Sequence, residues 1–381
     1  MGKQCIKHDL NRNACMLTGK FRRKGYDWWW HSFTGVNRET GEEKAMFIEF
    51  FLCNPGLAKE EPVLGQLEEN RQKKIKPSYL MVKAGFWGEE AKQLHRFFAW
   101  KDVEVHMNAP YSVKAGDCFA SDTKLKGSIK VDRFENAKHP EWMSDFGEMS
   151  WKLDVEKLIP FNVGYGASKL FRDIKAFEMY WHAEGMKTKY SGEVIINGET
   201  FDVIPDKCYG YADKNWGADF TSPWVWLSSN EMTSKLTGRK LENSVFDIGG
   251  GRPKVFFFPL NRKLLGAFYY EGEGYEFNFS KFWTGSKTKF ECDESSSEII
   301  WHVIQETFKY KIDVNMRCKK QEMLLVNYEA PDGAKRHNRL WNGGTGYGNI
   351  KFYRKEKNRE ILIDDIDVTH LGCEFGEYDR R

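Results

Sequence analysis

Cys208–Asn230 reads CYGYADKNWGADFTSPWVWLSSN. It sets Asp213, Lys214 and Asn215 beside Trp216, then runs into the pair Trp224 and Trp226. Ionisable groups among indoles are an unusual mixture. Low-polarity walls raise the pKa of a carboxylic acid, and a carboxyl kept protonated can donate a proton or a hydrogen bond. The stretch therefore reads as the floor of a deep apolar pocket holding one acid. The plainer reading is a strand, a turn and a strand, with the tryptophans in the core and Asp213 in a surface ion pair.

Upstream of this stretch, Glu193–Phe201 places Asn197-Gly198 between apolar runs, a strong hairpin signal. Tyr180-Trp181-His182 precedes it and echoes Trp29-Trp30-His31 near the start, which hints at an internal duplication. Asp27–Phe33, the apolar run Ala45–Cys53 and Tyr79–Trp87 read as strands, and Asn37–Glu42 supplies turn residues. Residues 58–75 are charged and read as a short helix or an inserted loop. Leu94, Phe97 and Phe98 fall at helical spacing and suggest a short helix within Glu89–Trp100. Met149, Trp151, Leu153 and Val155 alternate with polar neighbours, the period of a half-buried strand. Phe161–Gly166 breaks the pattern with two glycines, so the domain boundary is placed there, giving 1–165 and 166–381.

Downstream, Phe308, Tyr310, Ile312, Val314 and Met316 alternate over five positions, and Leu324–Tyr328 leads into the turn Pro331-Asp332-Gly333. Many short strands with few helical patterns indicate an all-β protein of sandwiches or barrels. Closed antiparallel barrels can enclose an apolar ligand.

Composition agrees with an apolar ligand. Aromatic residues make up 15% of the 381 residues, with 14 Trp and 28 Phe. The net charge is +3, from 58 basic and 55 acidic residues mixed throughout. Nucleic acids call for a clustered basic face, so none is expected as a partner. No apolar run is long enough for a transmembrane helix, and the N-terminus lacks an apolar signal core. A cytoplasmic protein is expected. The eight cysteines are dispersed, with no C-x-x-C, so neither a disulfide frame nor a structural metal is expected.

The motifs of common chemistries are missing. No G-x-S-x-G elbow occurs, which argues against nucleophilic hydrolysis. No strand, glycine loop and helix fingerprint occurs, so no dinucleotide cofactor is expected. Gly343–Gly348 lacks the Lys-Ser/Thr of a phosphate loop and reads, like Gly249-Gly250-Gly251, as a bend between strands. Three Trp-His pairs occur, at Trp30-His31, Trp181-His182 and Trp301-His302. A histidine beside a pocket could relay protons, although neighbours on a strand point to opposite faces.

Gly210-Tyr211-Ala212-Asp213-Lys214-Asn215-Trp216-Gly217 resembles the tocopherol cyclase family, which carries Tyr-Ala-Glu-Lys-Asn-Trp-Gly followed by an aromatic strand. Carotenoid hydratases of the hydroxyneurosporene synthase type have a similar Tyr-His-Asp-His-Asn-Trp version. Trp30-His31-Ser32, Tyr180-Trp181-His182 and Trp341–Gly348 extend the similarity. The resemblance implies two lipocalin-like antiparallel β-barrel domains packed together, with a hydrophobic pocket near their junction. It implies protonation, cyclisation or hydration of isoprenoid-type alkenes without a redox cofactor. The acid of the motif is the proton donor in the hydratase-like members, which carries over to Asp213 with Tyr211 beside it. Two departures bear on this. Asp213 is one methylene shorter than the plant glutamate, and Ala212 and Lys214 replace the hydratase histidines. Lys214 would lower the acid's pKa if the two paired, but adjacent residues on a strand point to opposite faces, so pairing is not required.

Protonating an alkene makes a carbocation that a dry pocket protects from water and ring faces stabilise. The candidate rings are Trp29, Trp181, Trp216, Trp224 and Trp226, with His31, His182, Lys214 and Asn215 as further ligand contacts. The leading expectation is a cofactor-free cyclase, isomerase or hydratase acting on a hydrophobic small molecule, with peripheral membrane contact possible. A lipid or pigment carrier with the same cavity is the first rival. An interaction protein whose cavity is filled by its own side chains is the second.

Overall fold

The computed structural model describes residues 8–162, 177–252, 254–255, 258–259, 263–357 and 359–377. Twelve of its strands form one antiparallel sheet. These are β1 (Tyr26–Asn37), β2 (Glu43–Cys53), β3 (Tyr79–Phe86), β4 (Lys92–Phe98), β5 (Val103–His106) and β6 (Ser112–Ala115). They continue as β7 (Cys118–Ser121), β8 (Lys124–Val131), β9 (Gly147–Phe161), β10 (Met179–Ile196), β11 (Glu199–Val203) and β12 (Gly210–Gly217). A second sheet holds β13 (Trp224–Ser229), β14 (Glu231–Ser234) and β15 (Val245–Gly251). Lys254–Val255 and Phe258–Pro259 (β16 and β17) form a small ladder of their own. The second sheet is completed by β18 (Lys263–Tyr270), β19 (Glu273–Phe277), β20 (Lys287–Asp293), β21 (Glu298–Glu306), β22 (Tyr310–Lys319), β23 (Leu324–Glu329), β24 (Lys335–Glu356) and β25 (Arg359–Gly376). The fold is all-β, and the two large sheets make lipocalin-like barrels.

One feature of the first sheet positions everything else. β10 pairs β9 along its length, while its other edge is shared end to end by β12 and β11. The same two strands share the free edge of β1, whose opposite edge is fully paired to β2. The motif strand β12 is thus wedged between the two aromatic-Trp-His strands. Every residue of β12 is buried, because one face looks into the first barrel and the other meets the second sheet.

Several expectations change in consequence. The aromatic-Trp-His strands do not open separate domains, since β1 and β10 both belong to the first sheet and flank its β12. The sheets part between Gly217 and Trp224, and the expected division at 165/166 falls within 163–176, outside the described residues. The helix suggested within Glu89–Trp100 is strand β4, because its backbone groups are taken by β3 over seven paired positions. Gly343–Gly348 is no bend between strands. It lies inside β24 and carries the register shifts of β-bulges against β25. Gly249–Gly251 likewise closes β15. A short helix does form at Glu68–Gln72.

Candidate active site

Register decides which side chains meet. Asp213 lies directly across from Trp30 on β1 and from Ala183 on β10. Side chains alternate along a strand, so Tyr211, Asp213 and Asn215 share the face turned toward the second sheet. Trp28, Trp30, Trp181 and Ala183 share it with them. Gly249 on β15 lets the Trp181 ring approach, since a Cβ there would lie 2.8 Å from the indole. Gly372 on β25 does the same for Trp226, at 2.4 Å.

Three carboxyls meet at this junction, Asp213 and Asp247 buried and Glu374 half-buried, and each faces one indole N–H. Trp181 Nε1 donates to Asp213 Oδ2 at 2.9 Å. Trp226 Nε1 donates to Asp247 Oδ1 at 3.0 Å. Trp224 Nε1 donates to Glu374 Oε2 at 2.5 Å. Tyr211 ties two of the acids together, its hydroxyl lying 3.2 Å from Asp213 Oδ2 and 3.2 Å from Asp247 Oδ2. Asp213 Oδ1 is buried and has no hydrogen-bond partner among the described residues.

An indole N–H can only donate, so the oxygen it faces must accept. In neutral Asp213 the proton therefore belongs on Oδ1, clear of Trp181 and Tyr211. Burial raises the Asp213 pKa well above its ordinary value, and the charge of Glu374 adds to the rise. Trp181 and Tyr211 pull the other way by stabilising the carboxylate. Burial likewise lifts Asp247 well above the usual range, with the charge of Asp213 adding to it. Asp213 and Glu374 line one cavity, walled by the rings of Trp28, Trp30, Phe220, Trp224, Trp226 and Tyr328. It encloses about 30 Å³, room for about two waters.

The remaining candidates are distributed by the same alternation. Trp181, Trp224 and Trp226 stand at the acids. Asn215 shares the face of Asp213 but accepts a hydrogen bond from the Tyr26 hydroxyl at 2.7 Å. Trp29, His31, His182, Lys214 and Trp216, expected as ligand contacts, point instead into the first barrel. Lys214 pairs with buried Asp27, and its Nζ lies 4.0 Å from the Trp29 ring centroid. It does not pair with Asp213, which lies on the other face. Trp216 stacks on Tyr180 with centroids 5.4 Å apart. His31 Nδ1 meets the Tyr190 hydroxyl at 2.9 Å, and His182 Nε2 meets Asn13 Oδ1 at 3.2 Å. Burial drives both histidine pKa values well below the usual range. Both rings are therefore neutral at neutral pH and supply no acid proton. In the third pair, Trp301 is buried while His302 bonds Asp313 at 2.9 Å from the opposite strand face.

Asp247, Glu374, Trp28 and Tyr328 were not singled out in the sequence, and Trp30 was noted only for its pairing with His31. The signal for the two acids was a carboxyl set between apolar neighbours on a strand, Phe246-Asp247-Ile248 and Cys373-Glu374-Phe375.

The model of a family described as tocopherol cyclase-like matches residues 75–377, most of the chain. The chain belongs to the tocopherol cyclase-like family. The match takes in the first sheet from β3 onward and the whole of the second. No curated protein sequence matches the chain. Among solved structures, kievitone hydratase from Nectria haematococca is similar over 99% of this chain and 97% of its own, with 12% identity and a TM-score of 0.50. A protein designated AttH from Nitrosomonas europaea is similar over 96% and 98%, with 12% identity and a TM-score of 0.46. No helix among the described residues is long and apolar enough to cross a membrane.

Proposed function

We propose that the protein is a cofactor-free acid catalyst that protonates a carbon–carbon double bond of a hydrophobic, isoprenoid-like molecule. The outcome is cyclisation, isomerisation or hydration. Asp213 is the proton donor and Tyr211 steadies the carboxylate it leaves. The observation that carries this reading is a buried carboxyl whose Oδ1 has no partner among the described residues and which lines a ring-walled cavity. Membership of a cyclase-like family supports it.

The chemistry follows from the surroundings. A desolvated acid is a poor proton donor to water but meets an apolar alkene without competition. The Trp30, Trp224 and Trp226 rings line the cavity in which the cation forms, and aromatic faces attract cations. Trp181 and Tyr211 already point at Oδ2, so the charge left on Asp213 meets donors in place. Preorganised donors of this sort need no rearrangement in the transition state. A cavity of about 30 Å³ means that any substrate larger than a few heavy atoms displaces wall side chains on binding.

That small volume favours a second reading, in which the protein fills its own cavity and serves as an interaction protein, while a carrier with an open cavity is the third. Mass spectrometry of an organic extract from natively purified protein, wild type beside Asp213→Asn, separates the readings. A ligand chemically altered only in the wild-type extract supports acid catalysis. The same unaltered ligand in both favours a carrier. Extracts that stay empty even after incubation with a mixed prenyl-lipid extract favour the filled cavity.

A further inference from the structure

Glu374 lines the same cavity as Asp213 but sits in opposite hydrogen-bond surroundings. Its Oε2 faces Trp224 Nε1 at 2.5 Å, and its Oε1 faces Asn342 Nδ2 at 2.6 Å. The Asn342 amide has only one consistent orientation. Its Oδ1 accepts from Trp87 Nε1 at 2.7 Å, and an indole nitrogen cannot accept. The amide NH₂ is thereby committed to Glu374. Both glutamate oxygens meet donors, whereas Asp213 has one oxygen without a partner among the described residues. Donors on both oxygens favour the carboxylate, and an unpartnered oxygen in apolar surroundings favours the acid. Two carboxyls whose surroundings push their protonation apart divide into acid and base.

We propose that Glu374 is the catalytic base of this cavity and takes the proton released when the cation formed at Asp213 is quenched. This rests on the reading of Asp213 as the acid.

The steps balance without an oxidant or reductant. The Asp213 Oδ1–H bond breaks, its proton forms a C–H bond with one alkene carbon, and the other carbon is left cationic. In cyclisation or isomerisation, a C–H bond beside the cation breaks, its electron pair closes a new double bond and its proton passes to Glu374. In hydration, a water oxygen forms the C–O bond and the water's proton passes to Glu374. Each Glu374 oxygen keeps a second lone pair for that proton. Asp213 ends ionised and Glu374 protonated, and a proton crossing the cavity resets both.

Burial raises the Glu374 pKa, while Trp224, Asn342 and the charge of Lys83 oppose the rise. Its negative charge, second to burial among the influences that raise Asp213, helps keep the acid loaded. The arrangement also defines a ligand class. An aliphatic tertiary ammonium has the shape and charge of the cationic intermediate and should seat its charge against Glu374.

The test compares binding of N,N-dimethyloctylamine, cationic at neutral pH, with that of a neutral tertiary alcohol of the same chain length. Calorimetry on the wild type should show the amine bound more tightly by about tenfold or more, the scale of a charge-assisted contact. Glu374→Gln should abolish that preference and leave alcohol binding in place. Equal affinity of the wild type for both probes would overturn the base while leaving the acid reading intact. Binding of neither probe would overturn both. Should Glu374→Gln not fold, carboxyl-¹³C glutamate spectra of the wild type decide, with the Glu374 signal assigned through its displacement in Trp224→Phe. A carboxylate signal at neutral pH supports the base, and a carboxylic acid signal overturns it.

Discussion

The hydroxyl oxygen of Tyr211 stands 3.2 Å from Asp247, a residue 36 positions further along the chain and in the other sheet. The same oxygen stands 3.2 Å from Asp213. One hydroxyl proton cannot serve two acceptors at once, so with the Asp213 proton on Oδ1 both contacts are hydrogen bonds only when Asp247 presents a proton on Oδ2. The two aspartates should therefore titrate as a pair with two apparent pKa values. In carboxyl-¹³C aspartate spectra, Asp213→Asn and Asp247→Asn should each abolish the upper step. Persistence of that step in either variant would show that the carboxyls titrate independently.

Asp213→Asn should lower turnover by about 10²–10⁴-fold, the usual contribution of a general acid, with circular dichroism unchanged. Tyr211→Phe tests the donor separately. Tyr211 stabilises the Asp213 carboxylate and so lowers its pKa. Without it the acid form persists to higher pH, and the alkaline limb of the pH–rate profile should move upward. The maximal rate should nonetheless fall by about tenfold, because the charge left on Asp213 loses one donor. A limb that moves downward or stays fixed contradicts this role.

Glu329 gives a pH dependence of stability that needs no substrate. Burial raises its pKa from 4.5 to about 7, and Gln66 Nε2 donates to it at 3.2 Å. Below pH 4.5 the group is protonated whether the chain is folded or not, and it costs nothing. As pH rises from 4.5 toward 7 the unfolded chain ionises first, so folding loses stability, and the loss levels off above about 7. Glu329→Gln should remove that loss and stabilise the protein at neutral pH by about 1–3 kcal/mol. Urea titrations at several pH values measure both the slope and its disappearance.

Lys214 should matter for folding rather than for turnover. It and Asp27 are both fully buried and paired inside the first barrel. Lys214→Met leaves an unpaired buried carboxylate and should cost about 3–5 kcal/mol. The double variant with Asp27→Leu should recover most of it. A folded Lys214→Met protein of wild-type stability but without activity would place the lysine in the chemistry after all.

Gly249→Ala should push the Trp181 indole off Asp213, because the new methyl would lie 2.8 Å from the ring. Overpacking of this kind costs about 1–3 kcal/mol. Reduced turnover should come with it, and Trp181→Phe in the same background should restore stability without restoring turnover. Thermal melts with parallel assays check both.

The strands were far more legible in the sequence than the long-range neighbours of Asp213. Alternation alone separated Asp213 from Lys214, and the β12 register bears out that separation. The same rule, followed through, would have sent His31, His182, Trp29 and Trp216 to the barrel interior. Asp247 and Glu374 carried only the local signal of a carboxyl between apolar neighbours, and their meeting with Asp213 was illegible because it arises through packing of the two sheets, which local pattern does not encode. Leu94, Phe97 and Phe98 misled because helical spacing over so short a span also fits a strand with both faces partly covered.

The parting of the sheets between Gly217 and Trp224 has a consequence for the life of the chain. Asp213 comes from one side of that joint, while Asp247 and Glu374 come from the other. A nascent or partly unfolded molecule carries only an ordinary aspartate with a pKa near 3.8, ionised and harmless in the cell. The raised pKa of Asp213 comes into being when the halves dock, at the moment its enclosure is complete. Two separately expressed halves would each keep an ordinary carboxyl until they found each other.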